Sequence, residues 1–400
     1  MKKGRKKLRI VFISQYFPPE VAAPAVRVHE TCREWVRMGH DVTVLCGFPH
    51  HPTGIVPERY KRLIVKREKL DGIKVIRTWL YAAPNRGFLK RSFSYLSFMI
   101  SAIITGSILV RRPDVIIATS PQLLVGVSGY VLSKLRRCPF VFEVRDLWPD
   151  ALTAVGVRIP RLLYGILKSL EHFLYKKAKL IVVVTDSFRK ILKHVVGRNK
   201  IFVLPNGVDV EMFSPGRGGG KGVAYIGTLG LAHRLDFLIR TAKNLPQITF
   251  NLIGDGADRS RLEKHAMTSE ARNVRFWGII PRMKIPSIIR SMDICIVALR
   301  KSELFQNFIP SKMFEFMGCA RPLILACEGE SAEIAKKSGG VLLINPESEE
   351  ELVGAIKKLM MNSHLRKKMG IKGRRFVEAH YDRKNLSKKY IRFLAAALRL

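Results

Sequence analysis

Short apolar runs of four to seven residues alternate with longer amphipathic segments along almost all of this 400-residue chain, and that rhythm leaves few folds open. A run such as Val115 to Thr119 (VIIAT) shows no polar alternation, so both of its faces need cover. That is the condition of a strand inside a parallel sheet flanked by helices. In the first half the expected strands are Leu8 to Ser14, Asp41 to Cys46, Lys74 to Thr78, Val115 to Thr119, Phe140 to Val144, Leu180 to Thr185 and Ile201 to Leu204. The second half repeats the rhythm with Gly222 to Ile226, Thr249 to Ile253, Val274 to Trp277, Ile294 to Ala298, Leu323 to Ala326 and Gly340 to Ile344. The fold class is therefore α/β, with two doubly wound parallel-sheet domains, since single cores rarely grow beyond about 250–300 residues.

The boundary falls in PNGVDVEMFSPGRGGG (residues 205–220), where Pro and Gly interrupt both helix and strand. The expected organisation is a first domain over 1–205, a hinge over 206–220, a second domain over 221–374, and a basic amphipathic helix over 375–400 that returns to the first domain. Open parallel sheets bind ligands at the carboxyl ends of their strands. Two such domains facing across a cleft suit a two-substrate transfer. No G-x-G-x-x-G follows the first strand and no G-x-x-x-x-G-K-[ST] occurs, so hydride transfer and P-loop chemistry lose support.

Charge is the outlier of the composition: 70 Lys and Arg against 32 Asp and Glu give a formal net charge of +38. Residues 1–207 carry +24 of it and residues 208–400 the remaining +14. An anionic partner is expected, whether nucleic acid, a lipid surface or a phosphorylated substrate. The six cysteines form no CxxC pair and sit in apolar runs, which indicates neither a zinc site nor a disulfide framework and fits a reducing cytosol. The apolar stretch after the basic opening is too short for a signal peptide.

Phe93 to Val110 (FSYLSFMISAIITGSILV) is an uncharged run of 18 residues with basic pairs at both ends. Its length makes it a transmembrane candidate. However, the strand that follows at once must share a sheet with strands that precede it. Ser94, Ser97, Ser101 and Thr105 form one polar stripe at helical spacing. Three readings stand: a helix packed in the domain, a helix resting in a membrane interface, or a true span.

The segment ELFQNFIPSKMFEFMGCARP (residues 303–322) carries the most chemistry. Pro310 is suited to open a helix, leaving the amides of Ser311 and Lys312 directed outward, where a diphosphate would also meet the Lys312 ammonium. Glu315, about one turn on, is placed to accept the hydroxyls of a ribose; the alternative is a capped helix with a surface Glu. Three expected strands of this half end in glycine: Gly227-Thr228-Leu229-Gly230, with His233 and Arg234 after it, Gly254-Asp255-Gly256, and Gly278. A ligand lying across the sheet edge is expected there.

These residues carry a resemblance. YFPPE (16–20), PNGVD (205–209), IGDG (253–256) and PSK followed by EFMGCARP (310–322) are similar to the retaining, nucleotide-sugar-dependent glycosyltransferases of family 4, which have the two-domain GT-B fold. FEVRDLWPD (142–150) resembles a segment of the branch that builds cell-surface polysaccharides with amino-sugar donors such as UDP-linked N-acetylfucosamine. The resemblance implies that Glu315 holds the ribose and that the first Glu of an E-x7-E pair is replaced by Asn307. The paired basic residues of the donor loop fall on Thr228 and Arg234, so only one is basic here, with Lys312 placed to supply the missing charge. It also puts Arg145 and Asp146 beside the donor sugar and acceptor. Here the alternative is an ion network of Arg145, Asp146 and Asp150 around Trp148. The loop holding Pro19 and Arg27, and the pair His50 and His51, are acceptor candidates, the two histidines alternatively forming a solvated loop.

The resulting expectation is a sugar moved from a nucleotide-sugar donor to a lipid-linked or polysaccharide acceptor, with no metal or other cofactor implied. The enzyme would lie at the cytoplasmic face of the membrane against anionic lipid, with no nucleic acid bound. The competing readings are a GT-B epimerase, an inactive membrane-associated relative, and a basic nucleic-acid-binding protein.

Overall fold

The structure, a computed structural model, describes residues 7–51, 53–84, 88–154, 156–216 and 218–399. Most of the basic opening, Pro52 in the His50-His51 loop and Arg217 in the expected hinge lie outside them. The chain divides into two compact units, Met1–Pro205 with Lys384–Leu400, and Asn206–Arg383.

The first unit runs β1 (Arg9–Ile13), α1 (Ala23–Arg37), β2 (Asp41–Gly47), β3 (Val65–Leu70), β4 (Ile73–Thr78), α2 (Phe88–Leu109), β5 (Val115–Thr119), α3 (Leu124–Arg136), β6 (Phe140–Val144), α4 (Asp150–Ala154), α5 (Arg161–Lys177), β7 (Leu180–Val183), α6 (Asp186–Val196) and β8 (Ile201–Val203). Its strands lie in the order β3-β4-β2-β1-β5-β6-β7-β8. All pair in parallel except β3, which is antiparallel to β4. The order reverses between β1 and β5, so the loops after these strands leave in opposite directions and open a crevice.

The second unit continues with β9 (Val223–Ile226), α7 (Asp236–Lys243), β10 (Phe250–Ile253), α8 (Arg259–Thr268), β11 (Val274–Gly278), α9 (Ile285–Ser291), β12 (Ile294–Ala298), α10 (Lys312–Gly318), β13 (Leu323–Ala326), α11 (Glu330–Ser338), β14 (Val341–Ile344), α12 (Glu349–Met361) and α13 (Ser363–His380). Its wholly parallel sheet is ordered β11-β10-β9-β12-β13-β14, reversing between β9 and β12. The last helix, α14 (Arg383–Leu398), lies almost entirely in the first unit.

The thirteen strands expected from apolar runs all form, with ends displaced by two residues or fewer. β3 has no apolar run to announce it. Its VKREKL sequence sits at the sheet edge, where charge blocks further pairing, and Asp71-Gly72, both at positive φ, close its hairpin with β4.

Residues 206–216 and 218–220, expected as a hinge, pack instead as part of the second unit. Val208 and Phe213 are buried there, and the Asp293 carboxylate accepts from the amides of Gly220 (2.8 Å) and Gly222 (2.9 Å). The loop spends its polar backbone on fixed partners, which a free linker would leave to water. Residues 375–383 also remain in the second unit, and only from Lys384 does the chain join the first. There the Trp35 indole of α1 donates to the Ser387 carbonyl at 3.0 Å and meets the Tyr390 ring at 5.1 Å, while Phe202 and Phe393 stack at 3.7 Å. Aromatic burial holds α14 in place.

Candidate active site

In the second unit the site begins at the end of β9. Gly227 has φ of 146°, and any Cβ on it would overlap the end of the Lys312 side chain. Only glycine leaves Lys312 its place. The Lys312 ammonium donates to the Tyr225 hydroxyl at 2.9 Å and sits 4.3 Å from the centre of that ring; the hydroxyl in turn donates to the Thr228 carbonyl at 2.9 Å. Burial lowers Lys312 from the usual lysine range to about 7, with Glu315 and Cys327 opposing the shift. His233 is lowered further, to about 3, by burial and by the Lys312 charge. It is therefore neutral, and its Nδ1–H donates to the Ala298 carbonyl at 2.9 Å.

The three strand-end glycines occupy adjacent strands and are tied to one another. Gly227 N–H donates to the Ile253 carbonyl and Gly254 N–H to the Gly278 carbonyl, both at 2.8 Å. A side chain on Gly254, at φ 131°, would strike the Gly227 carbonyl. Loop-to-loop packing thus accounts for Gly254 by itself, whereas Gly227 borders the Lys312 ammonium and the exposed Thr228 is linked to it through the Tyr225 hydroxyl. Gly254→Ala is expected to cost about 2–4 kcal/mol, combining positive-φ strain with displacement of the Gly227 loop. Thermal unfolding checks this, and an unchanged midpoint would contradict the packing.

Other expected donor residues are placed differently. Arg234, at φ 46° and half exposed, pairs its Nε with Glu347 at 3.4 Å. Asn307 lies in a single turn of 3-10 helix and donates to the Glu303 carbonyl at 3.3 Å. Ser311 immediately precedes α10 but makes no side-chain cap bond. α10 has only 7 residues, so its dipole is short and Lys312 carries the positive charge of this edge. Glu315 is neither free nor a cap: its Oε1 accepts from Arg282 Nη1 at 2.9 Å in a half-buried pair. Arg282 and Tyr225 had no sequence signal, the first lying 33 residues from its partner and the second reading as an ordinary strand residue.

In the first unit the carboxyl ends of β2, β1, β5 and β6 lie side by side. Pro19 is exposed there. Next to it, the buried Glu20 accepts from the amides of Phe17 (3.2 Å), His50 (3.0 Å) and His51 (2.8 Å). Burial pushes Glu20 up to about 7 against the pull of those amides. The two histidines are thus not a solvated pair. His50 is buried with Nδ1 2.9 Å from the Phe48 carbonyl, and His51 meets the Tyr16 ring edge-on at 5.2 Å. Burial, with His50 and Arg91 nearby, lowers His51 to about 4.

Arg27 is also corrected. It is 4% exposed and bonds Glu143 (3.0 Å) and the carbonyls of Leu204 and Pro205 (3.1 Å each), so its guanidinium is committed to the fold and unavailable to an acceptor. The amides of Arg145 and Asp146 are held by Ser120 Oγ at 2.8 and 3.4 Å, which sets both residues at the β6 edge. Burial raises the Asp146 carboxyl, and Arg145 opposes it. In the alternative reading of an ion network around Trp148, Asp150 would join Arg145 and Asp146, but it is held by Tyr164 (2.6 Å) and Lys168 (2.8 Å). Trp148 instead meets Tyr95 at 6.0 Å, and Arg91 donates to the Tyr95 hydroxyl at 2.8 Å. Tyr16, in the loop after β1, and Arg91 and Tyr95, one turn apart on α2, also join this edge.

Among the described residues, no group of three or more His, Cys, Asp or Glu side chains is placed to hold a metal ion. In the Asp209-Val210-Glu211 segment, Asp209 caps the amides of Glu211 and Met212 at 3.1 and 3.0 Å.

Solved structures share the whole fold. The sucrose-phosphate synthase of Thermosynechococcus elongatus matches with a TM-score of 0.77 at 17% identity, over 98% of this chain and 100% of that one. Anabaena HepE in complex with UDP matches at 0.71 and 16% identity, over 97% and 100%. Two doubly wound parallel-sheet units make this a GT-B fold, and the family domains matched in each unit make the protein a glycosyltransferase. Its first unit carries a glycosyl transferase 4-like domain over residues 22–207, and its second a glycosyl transferases group 1 domain over residues 220–362. WcaI of Escherichia coli K12, named for colanic acid biosynthesis, is 22% identical over 411 residues, covering 96% of this chain and 99% of WcaI. TuaH of Bacillus subtilis, named for teichuronic acid biosynthesis, is 26% identical over 198 residues, covering 46% and 49%.

Proposed function

We propose that the protein transfers a sugar, with retention of configuration, from a nucleotide-sugar donor to a lipid-linked or polysaccharide acceptor at the cytoplasmic face of the membrane. The observation that carries the donor half is the Lys312 ammonium lodged against Gly227 at the carboxyl edge of the second sheet. A UDP-linked amino-hexose is the donor we favour. HepE is known in complexes with UDP and UDP-glucose, and the names of WcaI and TuaH refer to colanic acid and teichuronic acid biosynthesis. In this reading the donor diphosphate lies along Gly227 and Thr228, with Gly254, Gly278, Asn307 and Ser311 bordering it, and Glu315 takes the ribose.

The reaction breaks the bond between the anomeric carbon and the diphosphate oxygen and forms one from that carbon to an acceptor hydroxyl. The hydroxyl proton passes to the departing diphosphate, giving nucleoside diphosphate and the glycosylated acceptor. Charge develops on the leaving diphosphate, so a fixed cation there lowers the barrier without reorganisation. Lys312 supplies it, and no metal or other cofactor is assigned. Arg145 and Asp146 take the sugar and acceptor side, with Pro19 and His51 bordering the acceptor. Purified protein incubated with a bacterial lipid extract and a panel of labelled nucleotide sugars tests this. Label in the organic phase is the expected result. Transfer only to water-soluble acceptors, or hydrolysis without transfer, would overturn the lipid-linked acceptor.

A further inference from the structure

The long apolar helix α2 is built the wrong way round for a core helix. Its polar stripe faces the protein: Ser94 Oγ accepts from Gln15 at 3.2 Å, Ser97 Oγ accepts from the Tyr81 amide at 2.8 Å, Ser101 bonds Thr78, and Thr105 lies 2.7 Å from the Thr78 hydroxyl. Its opposite face shows water Leu89, Phe93, Leu96, Ile100, Ile104 and Ile108, each 42–70% exposed. These recur at steps of four, three, four, four and four, a single line about 28 Å long. The helix is long and apolar enough to cross a membrane, yet only 33% of its apolar window is buried in the protein. Crossing is incompatible with its anchors, because β4 before it and β5 after it lie in one sheet and its serines are bonded along that sheet. An apolar line of this length left in water calls for an apolar partner.

We infer that α2 lies in the plane of an anionic bilayer interface, its apolar line inserted among the acyl chains. Charge selects lipid over a second copy of the chain. From Gly72 to Phe142 there is a single acidic residue, Asp114, against ten Lys and Arg. Arg111 and Arg112 are exposed at one end of the line and Lys90 at the other. Two such faces would repel each other, whereas an anionic leaflet attracts the face. The helices beyond it extend the surface. α3 packs beside α2, and its Tyr130 meets Phe173 of α5 at 5.2 Å; α5 itself exposes Leu162 and Ile166, with Arg161 and Lys177 at its ends. The inference specifies the membrane contact of the function proposed above, but it does not depend on the sugar transferred.

Sedimentation with vesicles tests it without turnover, so its failure is distinct from failure of the transfer reaction. The full chain is expected to pellet with phosphatidylcholine vesicles containing phosphatidylglycerol. Replacing both Arg111 and Arg112 with Ala should weaken binding about 25-fold at low salt, and by less as salt screens the charges. The triple variant Phe93→Glu/Ile100→Glu/Ile104→Glu alters only exposed side chains and should abolish pelleting. Nitroxide labels on the single variants Leu89→Cys, Ile100→Cys and Ile108→Cys then read geometry. Equal, shallow immersion at all three supports an in-plane helix. A depth gradient from one end to the other would replace it with a span. Dry labels together with a dimer in sedimentation velocity would replace the bilayer with a second copy, and dry labels on a monomer would remove the surface altogether.

Discussion

Lys312→Ala should lower sugar transfer by about 10²-fold and weaken nucleoside diphosphate binding, because it removes the cation buried against the glycine loop. The same residue predicts how binding depends on pH. In the free protein burial lowers the Lys312 pKa to about 7. A bound diphosphate raises it again, so above about pH 7 the protein takes up a proton when it binds. UDP affinity is therefore expected to fall as pH rises from about 7 toward the ordinary lysine range near 10.4, with little dependence on Lys312 below pH 7. Titration calorimetry in buffers of different ionisation enthalpy reads that proton directly. Lys312→Arg keeps the charge but not the fit against Gly227 and Tyr225, so it should bind UDP without the pH dependence. Equal turnover and affinity in wild type and Lys312→Ala would take Lys312 out of the site.

Arg27→Met is expected to destabilise the first unit by about 3–5 kcal/mol, since it leaves the Glu143 carboxylate buried without its partner. In the native fold, burial pushes the Glu143 pKa up, but Arg27 above all, helped by Arg145 and the Thr119 hydroxyl, outweighs it and holds the group below the ordinary range. The stability this contributes is present above the unfolded value of about 4.3 and is lost as pH falls through the folded value. Without Arg27 the sign reverses. Burial then raises the Glu143 pKa above the unfolded value, and stability falls as pH rises through that interval. The double variant Arg27→Met/Glu143→Leu should recover much of the loss, because it removes the stranded charge as well. Denaturant unfolding from pH 4 to pH 8 checks both statements. A loss below 1 kcal/mol in the single variant would show that water reaches the pair.

The same pair shows why part of the site was hidden in the sequence. Arg27 and Glu143 lie 116 residues apart, and nothing in YFPPE or in the loop that follows reveals that the guanidinium turns inward. His50 and His51 in a Pro-flanked loop read as solvated, but the buried Glu20 carboxylate gathers their amides and draws the loop in. Arg234 follows a glycine loop, and nothing local reveals that its Nε pairs with Glu347, 113 residues on. By contrast, Lys312 and Gly227 were both legible as residue types, though not as neighbours.

What the sequence determined by itself is the layered plan: unbroken apolar runs must be covered on both faces, so thirteen strands and their sheets could be marked from local pattern. The edge strand β3 escaped because a strand exposed at a sheet edge needs no apolar run. Only the tertiary structure decided which charges are spent on the fold and which remain for a ligand, and which way α2 faces. Those outcomes depend on partners distant in sequence. The serine stripe of α2 has no direction in the sequence until Thr78 and Gln15 are brought beneath it, and burial then turns six apolar side chains toward whatever lies outside.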